Sequence, residues 1–264
     1  MGEQSEPPVL VEHDGHVAIV TLNRPRAMNA VNRALATAVG EALEQAQADS
    51  DVRAVVVTGA GRGFCAGADL KEMASGQDSY VPGHRDWDFA GLVRHWLDKP
   101  VVAAVNGFAL GGGTEIVLAC DLVVIDEDAA LGLPEVGRGL MAAAGGLIRL
   151  QRQVPFKVAA EVALTGEPVC AARAYELGLV NRVASAGTAL TEAVALAQRI
   201  ASNAPLAVQE TKRMLHRAAH AGSDWGDAAW SLNESSMEVV LGSDDAAEGA
   251  RAFVERRAPH WSGR

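Results

Sequence analysis

Asn106-Gly107-Phe108-Ala109-Leu110-Gly111-Gly112-Gly113-Thr114-Glu115 follows a short apolar run at residues 101–105. The run predicts a buried strand, the glycines a tight turn, and the apolar stretch after Thr114 a helix. A glycine turn that opens a helix aims bare backbone N–H groups outward, where they can meet developing negative charge. Leu133-Pro134-Glu135 comes 20 residues after Glu115. Two carboxylates brought to one spot beside such a turn can move protons on and off reacting carbons.

Working outward, strands are expected at residues 17–22, 54–58, 101–105, 122–125 and 179–183. A helix is expected over 31–49, with Val31, Leu35, Val39, Leu43 and Ala46 on one face. Strands alternating with helices predict an α/β fold with much parallel pairing, and strand-to-helix turns are its natural ligand sites. Residues 75–85, rich in Gly, Ser, Asp and Pro, read as a mobile loop or lid. From about residue 191 the pattern is helical. Pro205 follows Ser202-Asn203 as a first-turn proline, and Asp245 with Glu248 has capping-box spacing ahead of a final helix. The expected division is a core over residues 1–190 that holds the site, and a helical region over 191–264 that packs on the core or on a neighbouring subunit. No sequence repeat is visible.

The 264 residues carry a net charge of −10, with 49% hydrophobic and 21% charged side chains. That composition fits a folded globular chain. The acidic balance speaks against nucleic-acid binding, which needs a basic face. No apolar run approaches the roughly 18 residues of a membrane span. Residues 1–8 are acidic and polar, unlike a secretory signal. Cys65, Cys120 and Cys170 are widely spaced, offer no zinc-ligand pattern and fit reduced thiols in a cytoplasm.

Thr58-Gly59-Ala60-Gly61-Arg62-Gly63 has neither dinucleotide-binding nor P-loop spacing. Its continuation, Phe64-Cys65-Ala66-Gly67-Ala68-Asp69-Leu70-Lys71-Glu72-Met73, says more. Small residues let the backbone approach a ligand, and Asp69 can cap a helix beginning there. The Ala68 N–H then stands at a helix entrance, as the Gly112 N–H does, and the two turns can jointly form an oxyanion hole. Glu115 sits in the first turn of a helix that is apolar nearly all round. Burial there would raise its proton affinity; the plainer alternative is a carboxylate complementing the helix dipole. Glu135 alone reads equally well as a loop carboxylate paired with Arg138. Trp87, Phe89 and Trp96 read as helix packing on the core, or in part as the lining of a pocket. His216, His220, Lys212, Arg213 and Arg217 read as a solvated helix face, and no metal site is expected.

Taken together and in order, these motifs resemble the enoyl-CoA hydratase/isomerase family, the crotonase superfamily. The resemblance runs from Leu22-Asn23-Arg24-Pro25 and Met28-Asn29-Ala30 through both glycine turns, Cys120-Asp121, Pro134-Glu135 and Gly145-Gly146. It continues in Ala174-Tyr175-Glu176-Leu177-Gly178-Leu179-Val180-Asn181, Lys212 and Phe253-Val254-Glu255-Arg256-Arg257. The resemblance implies an α/β spiral of ββα units with a helical C-terminal trimerisation region, assembled as a homotrimer or a dimer of trimers. It implies an acyl-CoA substrate whose thioester carbonyl meets the Ala68 and Gly112 N–H groups. Ala27, Met28 and Ala66 would border the adenine, and Asp69 and Lys71 would lie along the CoA. Phe253 and Arg256 would reach the CoA of a neighbouring subunit. Trp87, Phe89 and Met141 would stand near the acyl chain.

With glutamates at both 115 and 135, the resemblance implies a hydratase that adds water reversibly to a trans-2-enoyl-CoA, giving a 3-hydroxyacyl-CoA. No metal or redox cofactor is implied, because coenzyme A belongs to the substrate. The alternatives are a Δ3-Δ2 enoyl-CoA isomerase working through Glu135 and an acyl-CoA-binding protein on the same fold. Leu140-Met141-Ala142-Ala143-Ala144, before Gly145-Gly146, departs from the Pro-Gly common in hydratases and leaves the acyl chain open.

Overall fold

The computed structural model describes residues 6–264; residues 1–5, part of the N-terminal segment read above, lie outside the described residues. Six strands form one sheet in the order β1 (Val9–Asp14), β2 (Val17–Leu22), β3 (Ala54–Gly59), β5 (Val101–Val105), β7 (Leu122–Asp126) and β10 (Arg182–Ala184). A second sheet holds β4 (Gly63–Cys65), β6 (Phe108–Leu110), β8 (Ala130–Gly132) and β9 (Val169–Cys170). From β2 to β10 the first sheet is parallel, and β1 closes its edge as an antiparallel hairpin arm.

The helices are α1 (Arg33–Ala48), α2 (Leu70–Ala74), α3 (Gly112–Ala119), α4 (Gly146–Gln153), α5 (Phe156–Thr165) and α6 (Ala171–Glu176), followed by α7 (Ala189–Ala201), α8 (Pro205–Ala218), α9 (Asp227–Leu241) and α10 (Asp244–Glu255). Strand pairs step from the first sheet to the second and then into a helix: β3-β4-α2, then β5-β6-α3. β7 and β8 repeat the step and lead into a 3-10 turn at Pro134–Arg138. This is the spiral of ββα units. The sequence shows no repeat because each strand of the second sheet has only two or three residues, too few to display a period.

Both faces of the first sheet are covered, which is why its strands read as unbroken apolar runs. Val55, Val57, Ala103, Val105, Val123 and Ile125 point into the larger core, with Leu35, Val39 and Leu43 of α1 and Ile116 and Val117 of α3. Val56, Val102, Ala104 and Val124 point the other way, onto α7. That helix presents Ala189, Ala193, Ala197 and Ala201, four alanines at i, i+4 spacing, so its backbone packs closely on the sheet.

The strand expected at 179–183 forms instead at Arg182–Ala184. Asn181 turns its Oδ1 toward the Val123 N–H at 2.8 Å before pairing begins. The cap of α10 also differs from expectation. Ser243 accepts from the Ala246 N–H, while Asp245 is buried and receives the Ser262 and Gly263 N–H groups. The basic face of α8 is not solvated throughout. Lys212 is buried, pairs with Asp121 at 2.7 Å, donates to the Lys99 carbonyl and lies over the Trp96 ring. Arg213 pairs with Asp98 at 2.7 Å, and His216 reaches the second oxygen of Asp121 at 3.0 Å. These pairs pin α8 to the core; the local sequence shows none of their partners.

Candidate active site

The two glycine turns meet because β4 and β6 are parallel neighbours, with Cys65 opposite Ala109. The chain leaves both strands on the same side. A Cβ on Gly67 would stand 2.9 Å from the Leu110 carbonyl oxygen and 3.0 Å from the Gly112 nitrogen. Gly67 has φ +91° and Gly111 φ +56°, so glycine is required for conformation as well as for space. Gly112 opens α3, and its N–H has no helical acceptor. Among the described residues neither it nor the Ala68 N–H donates to another backbone group.

The Ala68 turn is held from below. The Val31 N–H donates to the Gly67 carbonyl at 2.8 Å, and the Asp69 N–H to the Val31 carbonyl at 2.9 Å. The Cys65 thiol is buried and donates to the Asn29 carbonyl at 3.1 Å; burial pushes it up to about 12, so it stays a thiol at neutral pH. Asp69 caps α2 and pairs with Arg24 at 3.0 Å. Its carboxylate thereby shapes the turn that presents the Ala68 N–H.

Glu115 lies in the first turn of α3 and is only 3% exposed. Its Oε1 accepts the Gly146 N–H at 2.8 Å. Burial pushes its carboxyl up to about 7, and the charge of Glu135 adds to the rise. The Gly146 and Ala144 N–H groups and the Arg149 guanidinium oppose it. Glu135 stands in the 3-10 turn Pro134–Arg138. Its Oε1 lies 3.0 Å from where a Cβ of Gly111 would be, so this carboxylate reaches over the glycine turn. Its Oε2 is buried and has no hydrogen-bond partner among the described residues. Burial raises its proton affinity too. The pairing with Arg138 does not form; Arg138 donates instead to the Pro134 carbonyl.

The aromatic candidates separate. The Phe89 ring fills the space beside Gly112, where a Cβ on that glycine would collide with it. The Trp87 ring occupies the space that Gly40 of α1 leaves open, stacked between His84 and His95. Trp87 therefore packs on α1. Met141 is 62% exposed. Ala27 and Met28 form the turn whose Met28 carbonyl accepts the Ala66 N–H at 3.0 Å, which brings these three candidates together. Lys71 is exposed on α2, and residues 75–84 form no helix or strand. Phe253 is 85% exposed near the end of α10, where Arg256 adopts a left-handed φ of 55°. Neither Gly146 as a donor nor Arg149 is expected at the site from the sequence. The available signal was a second glycine pair ahead of an amphipathic helix, in the same arrangement as residues 111–113.

A parallel-stranded ββα spiral, two adjoining helix-entrance glycine turns, a carboxylate in the first turn of the helix after one of them and a second carboxylate reaching over that turn define a crotonase-type protein. A sequence profile described as Enoyl-CoA hydratase/isomerase matches residues 12–264. An enoyl-CoA hydratase of Mycobacterium tuberculosis is 40% identical, over 99% of this chain and 98% of its own. The crystal structure of an enoyl-CoA hydratase from Mycobacterium tuberculosis H37Rv superposes with a TM-score of 0.92 at 45% identity, covering 98% of this chain and 100% of that one. A carnitinyl-CoA dehydratase structure from Mycobacterium avium 104 shares 52% identity at a TM-score of 0.79, with the same coverages. The chain belongs to the enoyl-CoA hydratase/isomerase family.

Proposed function

We infer that the chain is an enoyl-CoA hydratase, adding water reversibly to a trans-2-enoyl-CoA to give a 3-hydroxyacyl-CoA. The observation that carries this reading is the pair of carboxylates with raised proton affinity: buried Glu115 held by Gly146, and half-buried Glu135 with a buried, unpartnered oxygen over Gly111. The relatives named as enoyl-CoA hydratases at about 40% identity support it.

The thioester carbonyl accepts hydrogen bonds from the Ala68 and Gly112 N–H groups. Each such donor is worth roughly 2.7–4 kcal/mol once charge develops on the oxygen. A water sits between the carboxylates. Ionised Glu115 takes one of its protons as the oxygen attacks C3, and protonated Glu135 delivers a proton to C2. The enolate charge is met by backbone dipoles, so the chemistry needs no metal or redox group. Proton exchange between the two carboxyls restores the starting state, and the reverse reaction exchanges their roles.

CoA would lie along Ala27, Met28, Ala66 and Lys71. Exposed Trp230, Met237, Val239 and Leu241 on α9 support a homotrimer or dimer of trimers built on the helices after α7, with Phe253 and Arg256 reaching a neighbour's CoA. Among the described residues no helix is long and apolar enough to cross a membrane. The three free thiols support a cytoplasmic setting.

The test is a panel of enoyl-CoA thioesters varied in length and branching, followed by loss of the conjugated-enoyl absorbance. Hydration of at least one is expected. Binding of acyl-CoA with no turnover of any would overturn the reading in favour of a binding protein.

A further inference from the structure

We propose that Arg149 is a positioning residue for this reaction: its guanidinium clamps the turn that anchors Glu115 to the segment that carries Phe89, and so holds two walls of the site together. The proposal rests on the hydratase reading, because it is Glu115 as proton acceptor that the clamp serves.

Arg149 lies in α4, half-buried, and Nη2 donates to the Val93 carbonyl. Its Nη1 lies against Gly145, where any Cβ would collide with it, and Gly145 adopts φ +95°. The Gly145 carbonyl accepts the Arg149 N–H at 2.9 Å, and the next residue, Gly146, gives its N–H to Glu115. One end of the guanidinium therefore braces the turn that fixes the Glu115 carboxylate.

The other end holds a segment under conformational strain. Asp88 and Ala90 both have φ +59°, unusual for residues with a Cβ. Between them Phe89 sends its ring against Gly112. The Val93 N–H bonds the Phe89 carbonyl at 3.2 Å, and the Val93 carbonyl takes the arginine. Strained backbone persists only where its surroundings over-determine it, and Arg149 supplies one such restraint.

An arginine here has a cost, because among the described residues it forms no ion pair and burial disfavours its charge. An apolar side chain of similar length would fill the space more cheaply. The charge faces Glu115 and Asp88 with Cys120 close by, and Arg152 opposes it on the same helix. Glu115 in turn is faced by Glu135, Arg149 and the Gly146 and Ala144 N–H groups. Arg149 is the only cation in that set, so it favours the ionised form of Glu115 while fixing its anchor.

The experiment compares wild type, Arg149→Lys and Arg149→Met. It reads Tm, kcat, KM, the pH profile of hydration, and the Glu115 carboxyl titration by 13C NMR, assigned with Glu115→Gln. Arg149→Met should lower kcat about tenfold or more through misplacement, with little change in KM. It should also move the acid limb and the NMR titration to higher pH. Arg149→Lys keeps the charge and loses the two-point bridge. Its acid limb should stay at the wild-type pH, and its kcat should fall between the other two. Unchanged kcat and titration in both variants would overturn the proposal, as would a lysine variant whose limb moves as far as the methionine variant's. If Arg149→Met does not fold, the kcat and limb of Arg149→Lys decide. If the wild type hydrates no enoyl-CoA, the hydratase reading fails separately, and an unmoved Glu115 titration in Arg149→Met then overturns the clamp.

Discussion

The Glu115 carboxylate and the Gly146 backbone N–H meet at 2.8 Å, although 31 residues separate them in the chain. The contact ties α3, which opens at the glycine turn, to the start of α4. A Cβ on Gly146 would stand 2.9 Å from Glu115 Oε1, so only glycine lets the donor come this close. One carboxylate is therefore fixed in direction while its burial keeps its proton affinity high.

Glu115→Gln and Glu135→Gln should each lower kcat for hydration by roughly 10²- to 10⁴-fold, the usual range for a positioned proton-transfer group. KM should change far less. Steady-state assays on the enoyl-CoA thioester hydrated fastest provide the check. Loss of activity in Glu135→Gln alone, with turnover of a 3-enoyl-CoA, would move the assignment to the isomerase.

Hydration should follow a bell-shaped pH profile, with an acid limb where Glu115 ionises and a fall where Glu135 loses the proton that it delivers. Both limbs belong to the coupled Glu115–Glu135 pair, and Glu135→Gln, which has no carboxyl proton to lose, should abolish the basic limb of the residual activity.

Stability should show the same group with a definite sign. The Glu115 carboxyl is raised from 4.5 to about 7 in the fold, so its contribution is complete below 4.5 and is lost as pH climbs through 7. Glu115→Gln cannot ionise and escapes that loss. Its stability relative to wild type should grow between pH 5 and pH 8, by on the order of 3 kcal/mol at most. Urea unfolding at several pH values measures this, and a difference that is flat with pH would count against a buried Glu115.

Gly67→Ala would push a Cβ toward the Leu110 oxygen and the Gly112 nitrogen, at a φ of +91°. The Ala68 and Gly112 turns, and the N–H groups that we propose as oxyanion donors, would be forced apart. We expect kcat to fall about 10²- to 10³-fold, as for loss of one donor, with the circular dichroism spectrum retained.

Lys212→Met would leave the largely shielded Asp121 carboxylate with only the Val101 N–H and His216 as partners. Breaking a buried pair from one side costs about 3–5 kcal/mol. Urea denaturation should show a loss of that size, and a change below about 1 kcal/mol would mean that the pair is solvated.

Much of the fold was legible because periodicity is a local property. The strands at Val17–Leu22 and Val101–Val105 were expected at those bounds, and the helix at Arg33–Ala48 within two residues. The second sheet was not legible, because strands of three residues carry no pattern. The fate of Lys212 was hidden for a different reason: its partners Asp121 and Trp96 lie roughly a hundred residues away, and an ion pair leaves no mark on the sequence around either member.

The amino-acid sequence by itself determined the alternation of strand and helix, the two glycine turns able to present free N–H groups, and the presence of Glu115 at the first turn of an apolar helix. These follow from backbone sterics and from burial of one helix face, which act over a few residues. Only the tertiary structure decided that the turns adjoin, that Glu135 reaches over Gly111 with an unpartnered oxygen, and that Phe89 rather than Trp87 stands beside the Gly112 turn. Those outcomes depend on the parallel register of β4 against β6 and on which residues lack a Cβ where two segments cross. Such distances exist only once the chain has packed.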